Sequence, residues 1–174
     1  MSTGSRLAAI CALTTMAAVR MGATLEPAAE APPLASQEAE LRNSLATTAA
    51  TVVHGEQSVT LNFPVRLAFA ADGVDLLPAG TGMLDAVAHS LRDYKGTQLV
   101  VTVYTDAIGS SESNQQQSQA RAAAVLDYLL SKGVETERMT AHGAGESAQL
   151  SAPNTPEGRD LNRRLELTIT TLSS

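Results

Sequence analysis

An aspartate and an arginine are the residues of this chain whose positions most clearly suggest chemistry. Asp106 follows a short apolar run, Leu99–Val103, which is typical of a buried strand, and ligands of open α/β sheets bind beyond such strand ends. Arg121 falls within the next predicted helix, in which Asn114, Ser118 and Arg121 are separated by four and three residues. This spacing places the three polar side chains on one face of the helix.

Asp106 and Arg121 together allow two interpretations. In a shared cleft they would bind a zwitterion, because the carboxylate accepts from an ammonium group and the guanidinium donates two parallel hydrogen bonds to a carboxylate. Each such charge-assisted hydrogen bond contributes about 1.5–3 kcal/mol. Alternatively, the two side chains form an ordinary ion pair that ties the strand to the helix. The spacing alone favours the ion pair.

Other residue types with catalytic or metal-binding potential lack the required pattern. The segment Gly143–Gly145 is not followed by the lysine of a phosphate-binding loop, and neither Ser110 nor Ser111 has an evident histidine partner. The histidines are scattered without metal-ligand spacing. The sequence therefore predicts no enzyme, no metal site and no cofactor. The histidines are His54, His89 and His142.

The overall composition also limits the function. The chain has 174 residues, 44% of them hydrophobic, and a formal net charge of −6, so it can bury a core but lacks the basic surface of a nucleic-acid-binding protein. Aromatic residues make up 3% of the chain, which disfavours an aromatic platform for bases or sugars. The one cysteine, Cys11, leaves no partner for an internal disulfide.

The amino-terminal residues 1–24 are predicted to be a signal peptide or an amino-terminal anchor. A short polar segment with one arginine precedes Leu7–Val19, which is apolar, uncharged and shorter than the roughly 20 residues that span a bilayer. A buried helix is the alternative, although the run lacks a polar face. Bulky Ile10 precedes Cys11, which disfavours lipidation of that cysteine.

Residues 25–57 are predicted to be a linker followed by a short helix. Prolines lie among alanines and glutamates in Leu25–Ser36, as is typical of a linker. Within Ser36–Val53, apolar residues recur at spacings of three and four, which predicts a helix. We expect this helix to be a spacer or to dock against an envelope protein partner.

Residues 58–174 are predicted to form one α/β domain. Val59–Phe69 alternates between apolar and polar residues, which indicates a strand with one buried face, and Pro64 marks an edge or a bend. The nearly continuous apolar run of Leu99–Val103 predicts a central strand that is covered on both sides.

Two amphipathic helices complete the pattern of this domain. The first ends near Gly96, and the second is expected to begin with a capping box of Ser113 and Gln116 and to end at Lys132–Gly133. The resulting order is strand, helix, strand, helix, strand, loop and strand, which predicts helices packed on one mixed sheet. The last two strands are predicted at Met139–His142 and Leu165–Ile169.

The domain also carries an ordered series of short motifs. They lie at Thr105–Gly109, Asn114, Ser118–Ala122, Gly143–Glu146 and Gly158–Glu166. In this order and at these intervals they resemble the peptidoglycan-binding domain of the OmpA family. The similarity covers about Val59–Thr171, and an ordered series is far more specific than any single motif.

The resemblance implies a non-catalytic domain that binds diaminopimelate in the peptidoglycan stem peptide, in the periplasm or at the outer membrane of a Gram-negative bacterium. The two residues that contact diaminopimelate in the family correspond to Asp106 and Arg121. Diaminopimelate has an amino-acid head at its side-chain end, so the resemblance agrees with the zwitterion interpretation. The further binding positions that the resemblance implies are Thr105, Asn114, Ser118, Asp72 and Arg164. For Arg164, a structural salt bridge is an equally weighted alternative to a second cation in the site.

Three positions depart from the family pattern. Tyr104 stands where the family usually has histidine, Gln117 where it usually has leucine, and Ala70 replaces a common aspartate. These changes leave Asp106 and Arg121 in place. They therefore bear on affinity and on the lining of the pocket more than on the mode of binding.

Two other functions are weighed against wall binding. A stator-like or envelope-complex tether would use the same domain, but a stator carries an acidic residue within a membrane-spanning helix, and Leu7–Val19 has none. A cell-wall hydrolase is less favoured, because it would need a metal cluster or a paired acid and base in one cleft. We therefore expect peptidoglycan to be the partner.

Overall fold

The computed structural model describes residues 34–71 and 73–172. The predicted export segment and most of the predicted linker lie outside these residues, as do Asp72 and Cys11. The helices are α1 (Leu34–Ser44), α2 (Val65–Ala68), α3 (Pro78–Asp93), α4 (Ser111–Ser131) and α5 (Pro156–Asn162), with a short 3₁₀ turn at Thr136–Arg138. The strands are β1 (Thr51–His54), β2 (Ser58–Pro64), β3 (Thr97–Tyr104), β4 (Met139–Gly145) and β5 (Arg164–Thr171).

The five strands form one mixed sheet in the order β1-β2-β5-β3-β4. Strands β3 and β4 are parallel and are connected through α4, whereas the other neighbouring pairs are antiparallel. Strand β5 lies in the middle, where Leu167 pairs with Leu61 on one side and with Val101 on the other. The predicted fold class, helices packed on a mixed sheet, is confirmed.

The hydrophobic core follows from alternation along the three inner strands. In β3, each second side chain from Thr97 to Val103 is buried and the side chains between them are half-buried. Among the described residues, helices fully cover one face of the sheet and not the other, so the prediction of a strand covered on both sides is wrong. The core side chains of the inner strands are Val59, Leu61, Phe63, Leu99, Val101, Val103, Leu165, Leu167 and Ile169.

The predicted helix at Ser36–Val53 is wrong in its second half. Helix α1 ends at Ser44, and β1 pairs with β2 instead of continuing the helix. Local spacing cannot show this pairing, because the partner strand supplies the hydrogen bonds. The first half of the predicted helix is correct, and Leu41 within α1 and Leu45 directly after it are 1% and 2% exposed and belong to the same core. That core thus extends upstream of residue 58.

A cluster of charged side chains joins α1 to β1. Glu38 accepts hydrogen bonds from Nε and Nη2 of Arg42 at 2.9 and 2.7 Å, and its other oxygen lies 2.6 Å from Nδ1 of His54. The hydrogen bond from Arg42, followed by that from His54, lowers the pKa of Glu38. The amino-terminal helix is therefore held against the edge strand by polar contacts as well as by the core.

The predicted strand at Val59–Phe69 also ends earlier than expected. Pro64 closes β2 with a φ of −63°, and the next four residues form α2. Proline lacks the N–H that an interior strand residue donates, so it marks the point where pairing stops. The prediction of a bend at Pro64 is confirmed.

The ends of α4 are placed by a serine and a glycine. The serine is Ser110, whose side chain accepts from the backbone N–H of Ser113 at 3.2 Å, so the predicted capping box of Ser113 and Gln116 is wrong. At the other end Gly133 has a φ of +83°, as a helix C-terminus favours, and the predicted end at Lys132–Gly133 is confirmed. No helix in the described parts of the chain is both long and apolar enough to span a membrane.

Candidate functional site

The end of β3 turns sharply towards α4 and places Asp106 there. The register between β3 and β4 shifts after Val103, and the N–H of Thr105 donates to the carbonyl of Gly145 at 2.7 Å. Asp106 follows directly, and its Oδ1 accepts from the N–H of Ile108 at 3.3 Å. This short turn holds the carboxylate at the strand end with only 6% of the residue exposed.

Asn114, in the first turns of α4, holds this loop in place. Its Nδ2 donates to the backbone carbonyl of Asp106 at 3.2 Å and to Oε2 of Glu146 at 3.0 Å. The side chain is buried, with 7% of the residue exposed. The loop that carries Asp106 is therefore tied both to α4 and to the segment after β4.

Arg121 projects from the same helix two turns further on. Its Nε donates to the carbonyl of Gly73 at 2.9 Å and its Nη1 to Oε1 of Gln117 at 3.3 Å. The guanidinium lies 5.5 Å from the centre of the Phe69 ring, a cation–π distance, and it has further interactions besides these. With 6% of the residue exposed, the guanidinium is held by several contacts in a defined orientation.

Asp106 and Arg121 line the same cavity of about 720 Å³. A volume of this size is typical of a small-molecule site. Its wall combines apolar side chains from α2 and the loop between α2 and α3 with polar side chains from α2, the β3–α4 turn, α4 and the end of α5. The lining residues are Val65, Arg66, Phe69, Ala70, Ala71, Leu77, Thr105, Asp106, Ile108, Ser113, Asn114, Gln117, Arg121 and Arg163.

The ion-pair partner of Asp106, among the residues that the structure describes, is Arg163. Nη1 of Arg163 lies 2.6 Å from Oδ2 of Asp106, and its Nη2 donates to Asp160. Asp160 in turn lies 4.0 Å from Nε of Arg66. The sequence analysis allowed an ion pair between Asp106 and Arg121. In the structure Asp106 instead pairs with Arg163, which follows α5.

Arg164 is not among the residues that line the cavity, and it forms a salt bridge with Glu166, which agrees with the structural alternative rather than with a second cation in the site. Its guanidinium stacks on the Tyr104 ring at 3.7 Å and donates to Oε1 of Glu166 at 2.6 Å. Burial, followed by the charge of Glu166, raises the pKa of Tyr104. Arg164 is thus a structural residue of the sheet, and the neighbouring Arg163 lines the cavity instead.

Ser118 and Thr105 have different positions relative to the cavity. Ser118 is fully buried outside the lining, where its hydroxyl donates to the carbonyl of Gln115 at 3.0 Å and accepts from the N–H of Gly145 at 2.9 Å. Thr105 lines the cavity, and its buried hydroxyl has no hydrogen-bond partner within the described residues. Ser118 therefore shapes the site through the backbone, whereas Thr105 belongs to its wall.

Four polar wall residues were missed by the sequence-based prediction of the site, and one of them, Ser113, was considered only as a helix cap. Arg163 and Arg66 were overlooked because α5 and α2, which place them, were not predicted from the sequence. Gln117 was noted only as a departure from the family pattern, yet its amide oxygen accepts from Arg121. The spacing of four residues between Gln117 and Arg121 is the signal that could have identified this contact.

One group of side chains in the described part of the chain has the composition of a metal site. Ligand atoms of Glu40, His89 and Asp93 lie within 4.8 Å of one another, and Nδ1 of His89 is 2.8 Å from Oδ2 of Asp93. The group joins α1 to α3. His89 and Asp93 are exposed, with side chains 65% and 52% accessible, so the group is open to solvent rather than enclosed.

The sequence profile of the OmpA family matches residues 68–163 of this chain. The chain is 35% identical over 136 residues to the probable lipoprotein YiaD of Escherichia coli strain K12, a match that covers 78% of this chain and 62% of that protein. It is 36% identical over 103 residues to the peptidoglycan-binding protein ArfA of Mycobacterium tuberculosis strain H37Rv. That match covers 59% of this chain and 32% of ArfA, so the chain spans less than two thirds of either relative.

A solved structure with the same fold is the cell wall anchor of the T6SS from Pseudomonas aeruginosa. The two structures superpose with a TM-score of 0.68 at 27% sequence identity. The match covers 82% of this chain and 100% of that chain. The similarity thus includes residues upstream of the span that the family profile matches.

Proposed function

The chain belongs to the OmpA family, and on that premise we propose that its domain binds peptidoglycan through the cavity that Asp106 and Arg121 share. The ligand group that we propose is diaminopimelate of the stem peptide. The binding is non-covalent and anchors the protein, or the membrane to which the protein is attached, to the cell wall.

The observation that carries this proposal is that a carboxylate and a guanidinium line one cavity while being held by different partners. Diaminopimelate carries an ammonium and a carboxylate on the same carbon at its side-chain end. Asp106 would accept from the ammonium, and Arg121 would donate to the carboxylate. Because both residues are 6% exposed, water competes weakly with these contacts.

The rest of the wall supports the same ligand. Asn114 and Thr105 offer polar atoms beside Asp106, and Phe69 and Leu77 provide apolar surface for the methylene chain of diaminopimelate. Asp72, which the resemblance places near the mouth of the pocket, remains a proposed contact. We include Ser118 only as a residue that shapes the site.

The proposal describes a binding domain rather than an enzyme. Hydrolysis of the glycan would need two carboxylates on either side of the scissile bond. Among the described residues that line the cavity, Asp106 is the one carboxylate, and Arg163 holds it in an ion pair. The relative ArfA is itself named a peptidoglycan-binding protein, which supports a wall-binding role for this chain.

A second candidate role is that of a tether for a larger envelope complex. The similarity to the T6SS cell wall anchor covers that whole chain, and it favours this role because that protein is named as the anchor of another system. The same cavity would bind the wall in both roles. The two roles differ in what is attached to the domain, with residues upstream of α1 as the attachment that we propose.

Binding to sacculi tests the proposal directly. The purified chain should co-sediment with sacculi that contain diaminopimelate, and free diaminopimelate should displace it. Asp106→Asn keeps the size and the acceptor for Ile108 but removes the charge. This variant should bind about tenfold more weakly, because a charge-assisted hydrogen bond contributes about 1.5–3 kcal/mol.

Asp127→Asn is the matched control, because Asp127 is an exposed aspartate further along α4 and is not part of the cavity. It should sediment like the parent chain. The proposal is wrong if Asp106→Asn and Asp127→Asn bind sacculi equally well, or if free diaminopimelate does not compete.

A further inference from the structure

We propose that Arg163 is a specificity-determining residue of this cavity, which selects ligands that bring a carboxylate together with their ammonium. The inference rests on the proposed function and concerns how the site distinguishes between ligands. Arg163 contacts the oxygen of Asp106 that an ammonium would otherwise approach. A ligand with an ammonium group must therefore displace Arg163 from that oxygen or bind the oxygen together with Arg163.

Both carboxylate oxygens of Asp106 are already engaged. Oδ1 accepts from the N–H of Ile108 at 3.3 Å, and Oδ2 accepts from Nη1 of Arg163 at 2.6 Å. The side chain of Asp106 is 9% exposed, whereas that of Arg163 is 37% exposed. The more accessible partner is thus the one that a ligand displaces, because the Ile108 N–H belongs to the turn itself.

Arg163 has a second anchor that keeps it at the edge of the cavity. Its Nη2 donates to Asp160, which is one turn earlier on α5. Asp160 lies 4.0 Å from Nε of Arg66, so the charges alternate along a row from Asp106 to Arg66. When the guanidinium of Arg163 leaves Oδ2 of Asp106, its contact with Asp160 therefore keeps it close to the bound ligand.

Because of this arrangement, the displacement of Arg163 from Asp106 depends on which charged groups the ligand carries. An ammonium group by itself would take the carboxylate of Asp106 and leave Nη1 of Arg163 without that partner. A guest with a neighbouring carboxylate supplies a new acceptor for the displaced nitrogen. Diaminopimelate has such a carboxylate at its side-chain end, whereas lysine at the same position of the peptide has the ammonium alone.

Removal of Arg163 should therefore weaken the discrimination between diaminopimelate and lysine peptides rather than the binding of both. Without Arg163, Asp106 is a nearly buried carboxylate that has lost its ion-pair partner, and any ammonium can bind it. A peptide with lysine should then gain affinity. A peptide with diaminopimelate should gain less, because it also loses one donor for its carboxylate.

The test compares two synthetic stem peptides that are identical except for diaminopimelate or lysine at one position. The dissociation constant of each is measured by calorimetry for the full chain and for Arg163→Ala and Arg163→Gln. In both variants the ratio of the lysine-peptide to the diaminopimelate-peptide constant should fall by about tenfold, which corresponds to one charge-assisted hydrogen bond. Arg159→Ala, which lies on α5 outside the cavity, should keep the parent ratio.

The outcomes separate the inference from the proposed function. If the parent chain prefers diaminopimelate and both Arg163 variants keep its ratio, Arg163 has no role in selection and the inference is wrong. If the parent chain binds neither peptide, the proposed function fails and the inference fails with it. Should Arg163→Ala prove unstable, the ratio for Arg163→Gln decides, since glutamine retains a polar side chain next to Asp160.

Discussion

Arg121→Ala should lower the affinity of the chain for sacculi that contain diaminopimelate by about a hundredfold. The substitution removes the guanidinium that we propose as the partner of the ligand carboxylate. It also removes the hydrogen bond from Nε to the carbonyl of Gly73, which holds the loop after Phe69 against α4. Loss of both contacts should weaken binding more than loss of the charge at Asp106 does.

Arg121→Lys separates the two contributions of this side chain. Lysine keeps the positive charge but cannot donate two parallel hydrogen bonds, so its affinity should lie between those of the parent and Arg121→Ala. Co-sedimentation at several protein concentrations measures the three affinities, and circular dichroism checks that each variant is folded. A folded Arg121→Ala variant that sediments like the parent chain would exclude Arg121 from the binding site.

Gly143→Ala should destabilise the domain by about 3 kcal/mol, because α4 and β4 pass too close to each other for an additional methyl group. A Cβ at this position would lie 2.1 Å from the backbone nitrogen of Gln119 and 2.6 Å from the carbonyl carbon of Ser118. Both are backbone atoms of a helix, so the strand or the helix must move as a unit. Side chains already join the two elements here, with Nε2 of Gln115 donating to the carbonyl of Gly143 at 2.6 Å.

Urea denaturation measures this effect, and Gly82→Ala is the matched control. Nothing lies within 4 Å of a Cβ at Gly82, which is exposed on α3, so alanine there should stabilise the chain by about 0.5–1 kcal/mol through helix propensity. Gly143→Ala should also weaken sacculus binding, because α4 carries Asn114 and Arg121. An unchanged unfolding midpoint for Gly143→Ala would show that the contact between α4 and β4 is looser than the structure indicates.

The inner elements of the fold could be predicted because their patterns are local. The strand at Leu99–Val103 and the helices around it are defined by periodicity within a few residues, and burial in the structure follows that periodicity. Strand β1 could not be predicted, because four residues with one half-buried side chain have no pattern of their own and depend on pairing with β2. Helix α5 was missed because it has seven residues, too few for a helical stripe to stand out.

The site was predictable to the extent that it depends on one turn and one helix face. Asp106 follows from its position after a strand, and Asn114 and Arg121 follow from helical spacing, so the sequence brings these three to one region. The choice between Arg163 and Arg164 could not be made in this way. Arg163 follows α5 and Arg164 begins β5, and which of the two faces the cavity depends on how the sheet and α5 pack together.

An amide NMR titration with free diaminopimelate tests the central claim most directly, because it reports where on the chain the ligand binds. We expect saturable shifts of the backbone amides of Asp106 and Ile108 and of the Nε–H of Arg121. Asp106→Asn should require a higher ligand concentration for the same shifts. Saturable shifts that are confined to other parts of the domain, with those three signals unchanged, would contradict the assignment of this cavity.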